Sequence, residues 1–165
     1  MKALCFSDSH GNSAAFRRAL NLHPDAEIVF FLGDGLSDIE PYIVDKTKAF
    51  FAVRGNCDGY STFGDTLPKK TDAINIDGYR IVFTHGDLYG VKYGMDGLKK
   101  LASDSSADLV LFGHTHIPHE SYNPTDDGGF YLFNPGSLSG GFDHKPSYGV
   151  INITSAGILL SHGTL

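Results

Sequence analysis

Seven residues that can bind a metal ion follow five hydrophobic runs of this sequence. The runs cover residues 3–7, 28–32, 50–54, 79–84 and 109–112, and each leads, directly or after a glycine, into one or two of the seven. The candidates are two aspartates, one asparagine and four histidines: Asp8, His10, Asp34, Asn56, His85, His114 and His116. Oxygen and imidazole donors without a thiolate suit Mn²⁺, Fe²⁺, Ni²⁺, Zn²⁺ or Mg²⁺ better than a structural Cys-rich zinc site.

The spacing of these residues predicts a shared position at one edge of a sheet. Short apolar runs of this length are typical of buried strands, and ligands of open α/β sheets bind at the carboxyl ends of the strands. Seven ligands are too many for one tetrahedral ion. They suit two ions that share a bridging carboxylate and lie about 3.5–4 Å apart.

The first half of the chain predicts the order strand, helix, strand, helix, strand. A helix is expected to begin at residues 11–13 and to end near Asn21 and Pro24, because apolar residues recur there at helical spacing. A short second helix is expected to begin near Ser37. Pro41 is expected at an early position of that helix, where its missing N–H is tolerated.

The second half predicts a strand-rich region with one helix. Asp77 and Gly78 predict a tight hairpin between strands at 73–76 and 79–84, and the leucine spacing predicts a helix over 95–105. Further strands are expected at 117–122, 130–133, 149–153 and 158–161, antiparallel across tight turns at 127–129 and 156–157. The pattern predicts two sheets packed face to face with helices outside.

The motifs, taken in order, resemble those of a known family. They are Asp8-Ser9-His10, Gly33-Asp34, Gly55-Asn56-Cys57-Asp58, His85-Gly86 and Gly113-His114-Thr115-His116. The chain resembles the calcineurin-like metallophosphoesterases over nearly its whole length, and among them the small YfcE-like phosphodiesterase group. This resemblance implies an α/β fold, a four-layer α/β/β/α sandwich of two packed mixed sheets.

The resemblance also implies roles for the seven candidates. One metal would be bound by Asp8, His10 and His116, and the other by Asn56, His85 and His114, with Asp34 as the bridge. The implied activity is hydrolysis of a phosphodiester by a hydroxide that bridges two divalent metals, with Asp8, Asp34, Asn56 and His85 as catalytic residues. Mn²⁺ is our first choice of metal, with Ni²⁺, Fe²⁺, Zn²⁺ or Mg²⁺ as alternatives.

Substrate binding is assigned to Asn56, Cys57, Gly136 and Ser137. Backbone amides near Gly136 and Ser137 are predicted to hold a phosphate oxygen, although the loop 134–143 can also be interpreted as a turn-rich connection without a ligand. Cys57 stands where many relatives have a histidine that assists the leaving group. This departure removes the obvious general acid, and His144 is a second residue that could reach the pocket.

Two further carboxylates and a lysine pair are interpreted from their positions. Asp58 and Asp87 directly neighbour the motifs, and we expect them to orient ligands rather than to bind metal. Lys69 and Lys70 are interpreted as solvated surface residues, because basic residues here occur as isolated pairs and not as a stripe.

Composition limits the classes of protein. With 165 residues, 41% of them hydrophobic, we expect one domain over 1–165, without a signal peptide or a membrane span. The formal net charge of -6 argues against a duplex nucleic-acid partner. The expected substrate is a small-molecule phosphodiester or nucleotide, the expected location is cytoplasmic, and the resemblance is compatible with a homodimer.

The alternative to an enzyme is a non-catalytic or regulatory scaffold. The small retromer subunit resembles these proteins in fold but binds protein partners, and its metal-binding set is altered. All seven positions here carry residues able to bind metal, which favours an enzyme. Metal content and turnover of an aryl phosphodiester discriminate between the two.

Overall fold

Ten strands and three α-helices make up the regular structure of the computed structural model, which describes residues 1–43, 47–59, 67–126, 128–140 and 145–165. The strands are β1 (Lys2–Phe6), β2 (Ile28–Phe31), β3 (Ala49–Ala52), β4 (Thr71–Ile76), β5 (Tyr79–Thr84), β6 (Leu109–Leu111), β7 (His119–Thr125), β8 (Gly128–Asn134), β9 (Ser147–Thr154) and β10 (Gly157–Thr164). The helices are α1 (Ser13–Leu22), α2 (Leu36–Ile43) and α3 (Asp96–Ser105), and a single 3₁₀ turn covers Asp87–Tyr89.

The strands form two mixed sheets. Sheet I has the order β10-β9-β1-β2-β3, and sheet II has the order β4-β5-β6-β8-β7. In sheet I, β1, β2 and β3 are parallel, and in sheet II, β5, β6 and β8 are parallel. The five predicted strands that precede candidate ligands are therefore β1, β2, β3, β5 and β6, with three of their carboxyl ends at one edge of sheet I and two at one edge of sheet II.

The two faces of β1 show how the layers are stacked. Ala3 and Cys5 are fully buried in a core that also contains Phe83 of β5, so this core lies between the two sheets. Leu4 and Phe6 point the other way and pack with residues of α1 and α2. A third core joins α3 to the outer face of sheet II. The order helices, sheet I, sheet II, helix confirms the predicted four-layer sandwich.

The helix boundaries follow from local contacts, with one correction. The helix α1 begins after Asn12 because the side-chain Oδ1 of that residue accepts a hydrogen bond from the N–H of Ala15 at 3.1 Å. In α2, Pro41 lies inside the helix rather than at an early position as we expected. The carbonyl that would receive the missing N–H belongs to Ser37, which is exposed, so water can satisfy it.

The connections in the second half are only partly as predicted. The hairpin at Asp77 and Gly78 is confirmed, as are the antiparallel pairs of β7 with β8 and of β9 with β10. Residue 127 of the first predicted turn lies outside the described residues. The strand β8 also pairs in parallel with β6, and β9 crosses to sheet I beside β1, which local sequence signals do not indicate.

No α-helix in the described ranges is long and apolar enough to cross a membrane.

Two adjacent leucines of β10 allow a test of the sheet packing. Leu160 is 7% exposed, whereas Leu159 is 66% exposed on the opposite face of the strand. We expect Leu160→Ala to lower the free energy of unfolding by about 2–4 kcal/mol, because it removes a buried side chain. Leu159→Ala should change it by less than about 0.5 kcal/mol. Urea denaturation measures both values, and equal losses would contradict the assigned orientation of β10.

Candidate metal centre

The seven candidate ligands come from both sheets. Sheet I supplies the residues that follow β1, β2 and β3, namely Asp8, His10, Asp34 and Asn56, and sheet II supplies those that follow β5 and β6, namely His85, His114 and His116. Their ligand atoms gather in two clusters, one of Asp8, His10 and His116 and the other of Asp34, His85 and His114. The structure thus brings together all the residues for which the sequence predicted metal binding, with Asn56 beside the second cluster.

The first cluster joins residues more than a hundred positions apart in the chain. Nε2 of His116 lies 3.1 Å from Oδ1 of Asp8, and Nε2 of His10 lies 3.8 Å from the same oxygen. The two imidazole Nε2 atoms are 3.3 Å apart. A carboxylate oxygen and two ring nitrogens therefore face one another.

The second cluster is centred on His85, which is fully buried. Its Nδ1 lies 2.8 Å from the carbonyl oxygen of Leu32, and because a carbonyl only accepts, Nδ1 must carry the proton. In the neutral imidazole Nε2 then presents a lone pair, and it lies 3.1 Å from Nδ1 of His114, 3.2 Å from Oδ1 of Asn56 and 3.3 Å from Oδ2 of Asp34. Fixing a histidine through its other nitrogen is what metal ligands require.

Asp34 links the two clusters. Its Oδ2 is 3.3 Å from Nε2 of His85 and 4.0 Å from Nε2 of His10, so the same oxygen faces both groups. Its Oδ1 accepts the N–H of Cys57 at 2.7 Å. This is the placement that a bridging carboxylate needs.

The donor arrangement fits divalent cations. Oδ1 of Asp8 is buried and has no well-directed hydrogen-bond donor among the described residues. One proton on Nε2 of His85 could satisfy only one of its three neighbours, and the paired nitrogens of His10 and His116 have the same difficulty. A cation in each cluster would satisfy all these lone pairs at once, and the oxygen and nitrogen set suits first-row divalent metals.

The backbone of the site is strained where the ligands stand. Seven non-glycine residues of the described chain have positive φ, and five of them are candidate ligands: Asp8, His10, Asp34, His114 and His116. Such conformations cost about 1–3 kcal/mol each and cluster at functional sites. Gly55 has a related function, because a Cβ there would collide with the carboxylate of Asp34. Only glycine lets the β3 loop approach that side chain.

The charges of the site shift several pKa values. Burial alone would raise the pKa of Asp34, but its hydrogen bond to His85 and the charge of His85 hold this pKa well below its usual range. Burial lowers the pKa of His85 and Asp34 raises it, with a net rise. The carboxylate of Asp8, 3.1 Å away, raises the pKa of His116. The pKa of His114 is lowered by burial, by His85 and by Lys92.

Asp58 holds the Asp34 loop, as its position in the sequence predicted. Its two oxygens accept backbone N–H groups at 2.8–2.9 Å, those of Asp34, Gly35, Leu36 and Gly55. Four hydrogen bonds to one carboxylate fix the loops after β2 and β3 to each other. Asp58 therefore orients ligands without facing the metal positions.

Two supporting residues were missed by the sequence analysis. Asp38 of α2 accepts the hydroxyl of Ser9 at 2.6 Å and the N–H of Gly11 at 2.8 Å, which fixes the loop that carries Asp8 and His10. Asn134 is fully buried and donates from Nδ2 to the carbonyl of Gly113 at 3.0 Å. An acidic residue in the first turn of α2 was the only local signal for Asp38, and it is too common to be specific.

Asp87 and Lys70 differ from their predicted roles. We expected Asp87 to orient a ligand and Lys70 to be solvated, but the two side chains pair at 2.9 Å. Lys70 also donates to the carbonyl of Gly55 at 3.0 Å. The pair therefore supports the loop before Asn56 through the carbonyl of Gly55.

Gly136 and Ser137, which we predicted to bind substrate, make contacts within the protein. Both are buried, the N–H of Gly136 is donated to Oδ1 of Asn134 at 2.9 Å, and the hydroxyl of Ser137 is donated to the carbonyl of Asp8 at 2.8 Å. The N–H of Gly136 and the hydroxyl of Ser137 therefore support the ligand loops. Binding of a phosphate oxygen near these two residues stays a prediction.

Cys57 and Asn56 form the exposed side of the site. The Sγ of Cys57 lies within 4.8 Å of ligand atoms of His10 and Asp34, and Nδ2 of Asn56 donates to it at 3.2 Å. Burial, and then the hydrogen bond and charge of Asp34, raise the pKa of the Cys57 thiol. His144, the other candidate near the pocket, lies outside the described residues.

Comparison with known proteins shows the family of this chain. The family model of the calcineurin-like phosphoesterase superfamily domain matches residues 1–156. The chain therefore belongs to the calcineurin-like phosphoesterase superfamily. This supports a phosphoesterase, a hydrolase that cleaves ester bonds to phosphorus.

Two curated relatives support the YfcE-like group. The probable metallophosphoesterase YsnB of Bacillus subtilis strain 168 is 30% identical over 138 residues, which cover 84% of this chain and 75% of YsnB. The phosphodiesterase YfcE of Escherichia coli K12 is 28% identical over 176 residues, covering 92% of this chain and 88% of YfcE. The predicted family and group are confirmed.

Solved structures of Vacuolar Protein Sorting 29 have the same fold as this chain. The structure of Vacuolar Protein Sorting 29 from Cryptosporidium parvum has a TM-score of 0.74 with this chain at 16% sequence identity. The match covers 99% of this chain and 98% of the Cryptosporidium parvum chain. At that identity the likeness shows the fold alone.

Proposed function

We propose that this chain is a phosphodiesterase that works with two divalent metal ions, Mn²⁺ being the first choice. Asp8, His10 and His116 would hold one ion, and Asn56, His85 and His114 the other, with Asp34 shared. The observation that carries the proposal is the convergence of three acceptor or ring atoms within 3.3 Å of Nε2 of His85, beside a second cluster that shares the same oxygen of Asp34.

The reaction joins a water oxygen to phosphorus and breaks one phosphorus–oxygen ester bond, and the departing oxygen finally takes a proton. Bound divalent ions would supply the Lewis acidity that neutralises charge on the phosphoryl oxygens and lowers the pKa of water. The protein residues fix this geometry: Asp58 holds the Asp34 loop, Asp38 holds the Asp8 and His10 loop, and Asn134 holds the loop of His114 and His116. Asn56 and Cys57 line the side from which substrate enters.

The proposal extends to the surroundings of the site. We propose that the substrate is a small-molecule phosphodiester or a nucleotide. We also propose that the protein acts in the cytoplasm and that it is compatible with a homodimer. The likeness to Vacuolar Protein Sorting 29 concerns the fold only, so the scaffold alternative rests on fold similarity. The complete donor set favours the enzyme over a scaffold.

Removal of metal tests this function. We expect dialysis against a chelator to abolish hydrolysis of bis(p-nitrophenyl) phosphate, and Mn²⁺ to restore it, because all seven donors then regain their cations. Metal content is measured by mass spectrometry alongside the rate of nitrophenolate release. Full activity of a protein free of metal would contradict the proposal, and bound metal without turnover of any phosphodiester would favour the scaffold.

Cys57 leads to a second prediction, on how the hydrolysis rate depends on the leaving group. Because a neutral thiol is a weak proton donor, the hydrolysis rate should fall steeply as the pKa of the leaving group rises. Cys57→His should recover part of the rate for poor leaving groups, within the range of about 10²–10⁴-fold that general acid assistance contributes.

A series of phosphodiesters with graded leaving-group pKa measures both slopes, with metal occupancy checked in each protein. Cys57→Ser serves as the control, since it keeps the size of the side chain without adding an imidazole. A flat series in the wild-type protein would show that another group already supplies the proton.

A further inference from the structure

A cavity of about 380 Å³ has Thr115 in its lining, the residue that stands between the candidate ligands His114 and His116 in the chain. Two segments form it, residues 91–95 before α3 and residues 115–119 between β6 and β7. Its lining residues are Val91, Lys92, Met95, Thr115, Ile117 and His119. None of these residues is one of the seven candidate metal ligands.

The cavity shares its walls with the metal-binding loops. Thr115 stands between His114 and His116 in the chain, and its hydroxyl accepts a hydrogen bond from Nδ2 of Asn134 at 3.0 Å, so this part of the wall is fixed. The methyl groups of Val91 lie against Gly86, the residue after His85. Three candidate ligands therefore adjoin the cavity through their nearest neighbours in sequence.

The charge at the cavity suits an anion on the metal side. Lys92 is among the residues that line the cavity, and it is the one permanent positive charge among them. Lys92 is exposed and can move its charge toward a phosphoryl group. No carboxylate lines the cavity among the described residues.

The remaining walls suit a flat, mostly apolar group. Val91, Met95 and Ile117 provide an apolar surface, and a methionine thioether makes favourable contacts with aromatic rings. Thr115 and His119 add polar atoms at the edges. A volume of this size lies in the range of ligand pockets, which combine apolar walls with a few polar groups.

We propose that this cavity is the subsite for one organic substituent of the phosphodiester and that it takes a nucleoside-sized aromatic group, with Lys92 beside the phosphoryl group. The proposal rests on the proposed function, because the phosphodiester must lie at the metal centre for its substituent to reach the cavity. It names a substrate class, nucleoside phosphodiesters, that the metal site alone does not select.

Two substrates with the same leaving group test the subsite. They are the p-nitrophenyl ester of thymidine 5′-phosphate and methyl p-nitrophenyl phosphate, which differ only in the group that the cavity would hold. With the Mn²⁺-loaded protein, KM for the thymidine ester should be at least about tenfold lower, because the thymidine group would bury apolar surface against Val91, Met95 and Ile117. Equal KM values would overturn the subsite, whereas hydrolysis of neither ester would overturn the proposed function.

A pair of variants locates the effect. Ile117→Ser should narrow the ratio of the two KM values at least about fivefold, because specificity in apolar pockets depends strongly on single apolar groups. Leu159→Ser is the matched control: Leu159 is 66% exposed and Ile117 56% exposed, but Leu159 lies in β10 and does not line the cavity. The control should keep the wild-type ratio, and a ratio left unchanged by Ile117→Ser would overturn the proposal.

Equilibrium binding gives a readout besides turnover. Calorimetry should show that the wild-type protein binds thymidine 5′-monophosphate more tightly than inorganic phosphate and that Ile117→Ser reduces this difference. Circular dichroism confirms that the variant is folded, as its exposed position leads us to expect. Equal affinity of the wild-type protein for nucleotide and phosphate would contradict a nucleoside subsite.

Discussion

Replacement of His85 or His116 by alanine is expected to lower phosphodiester turnover by more than about 100-fold, the upper end of the loss typical for residues that only support a ligand. The two residues stand in different clusters, so each variant should lose a ligand for a different ion. Turnover of bis(p-nitrophenyl) phosphate with excess Mn²⁺ and metal content by mass spectrometry measure the effect.

His23→Ala is the matched control for these two variants. His23 is a partly buried histidine that contacts the hydroxyl of Tyr148 at 2.9 Å, away from both clusters. It should keep wild-type turnover and metal content. Full activity in His85→Ala or His116→Ala would show that one ion is sufficient and would remove the dinuclear proposal.

Asp34→Asn should lower turnover at least about tenfold more than Asp87→Asn, since supporting carboxylates typically contribute only about 10–100-fold. Asp34 presents one oxygen to both clusters, whereas Asp87 pairs with Lys70. An amide in place of the shared carboxylate keeps the shape but loses the negative charge that two cations require.

The comparison between the two variants is a matched one, because each replaces an aspartate by the isosteric asparagine. Metal content should fall in Asp34→Asn and remain close to wild type in Asp87→Asn. The opposite order of metal loss would show that the bridging role is assigned to the wrong residue.

The positions of the candidate ligands were accessible from sequence for a local reason. Each ligand follows a short apolar run, and a run of this kind forms a strand whose end is fixed by the residues themselves. The hairpin at Asp77 was predictable for the same reason, since its turn is encoded by two adjacent residues. The positions of residues at strand ends can thus be predicted from short stretches of sequence.

Several of the unpredicted features depend on contacts between distant segments. The strand β9 joins sheet I through pairing with β1, nearly 150 residues earlier, and nothing local to either strand indicates this partner. Lys70 donates a hydrogen bond to the carbonyl of Gly55, and Ser137 donates one to the carbonyl of Asp8, each in another loop. A lysine or serine in a loop has the same local signal whether it is solvated or buried against another segment.

The division of ligands between the two sheets has a consequence for how the protein folds. Contacts such as that of Asp8 with the N–H of His114 join residues 106 positions apart. Closure of long loops and pairing of distant strands are slow steps, so local hairpins and helices should form before such contacts. A folding intermediate with only one sheet in place would hold at most two of the three residues of either cluster. Metal binding by the chain would therefore indicate that the two sheets have packed together. The ions would bind only after all the ligands of a cluster are in place.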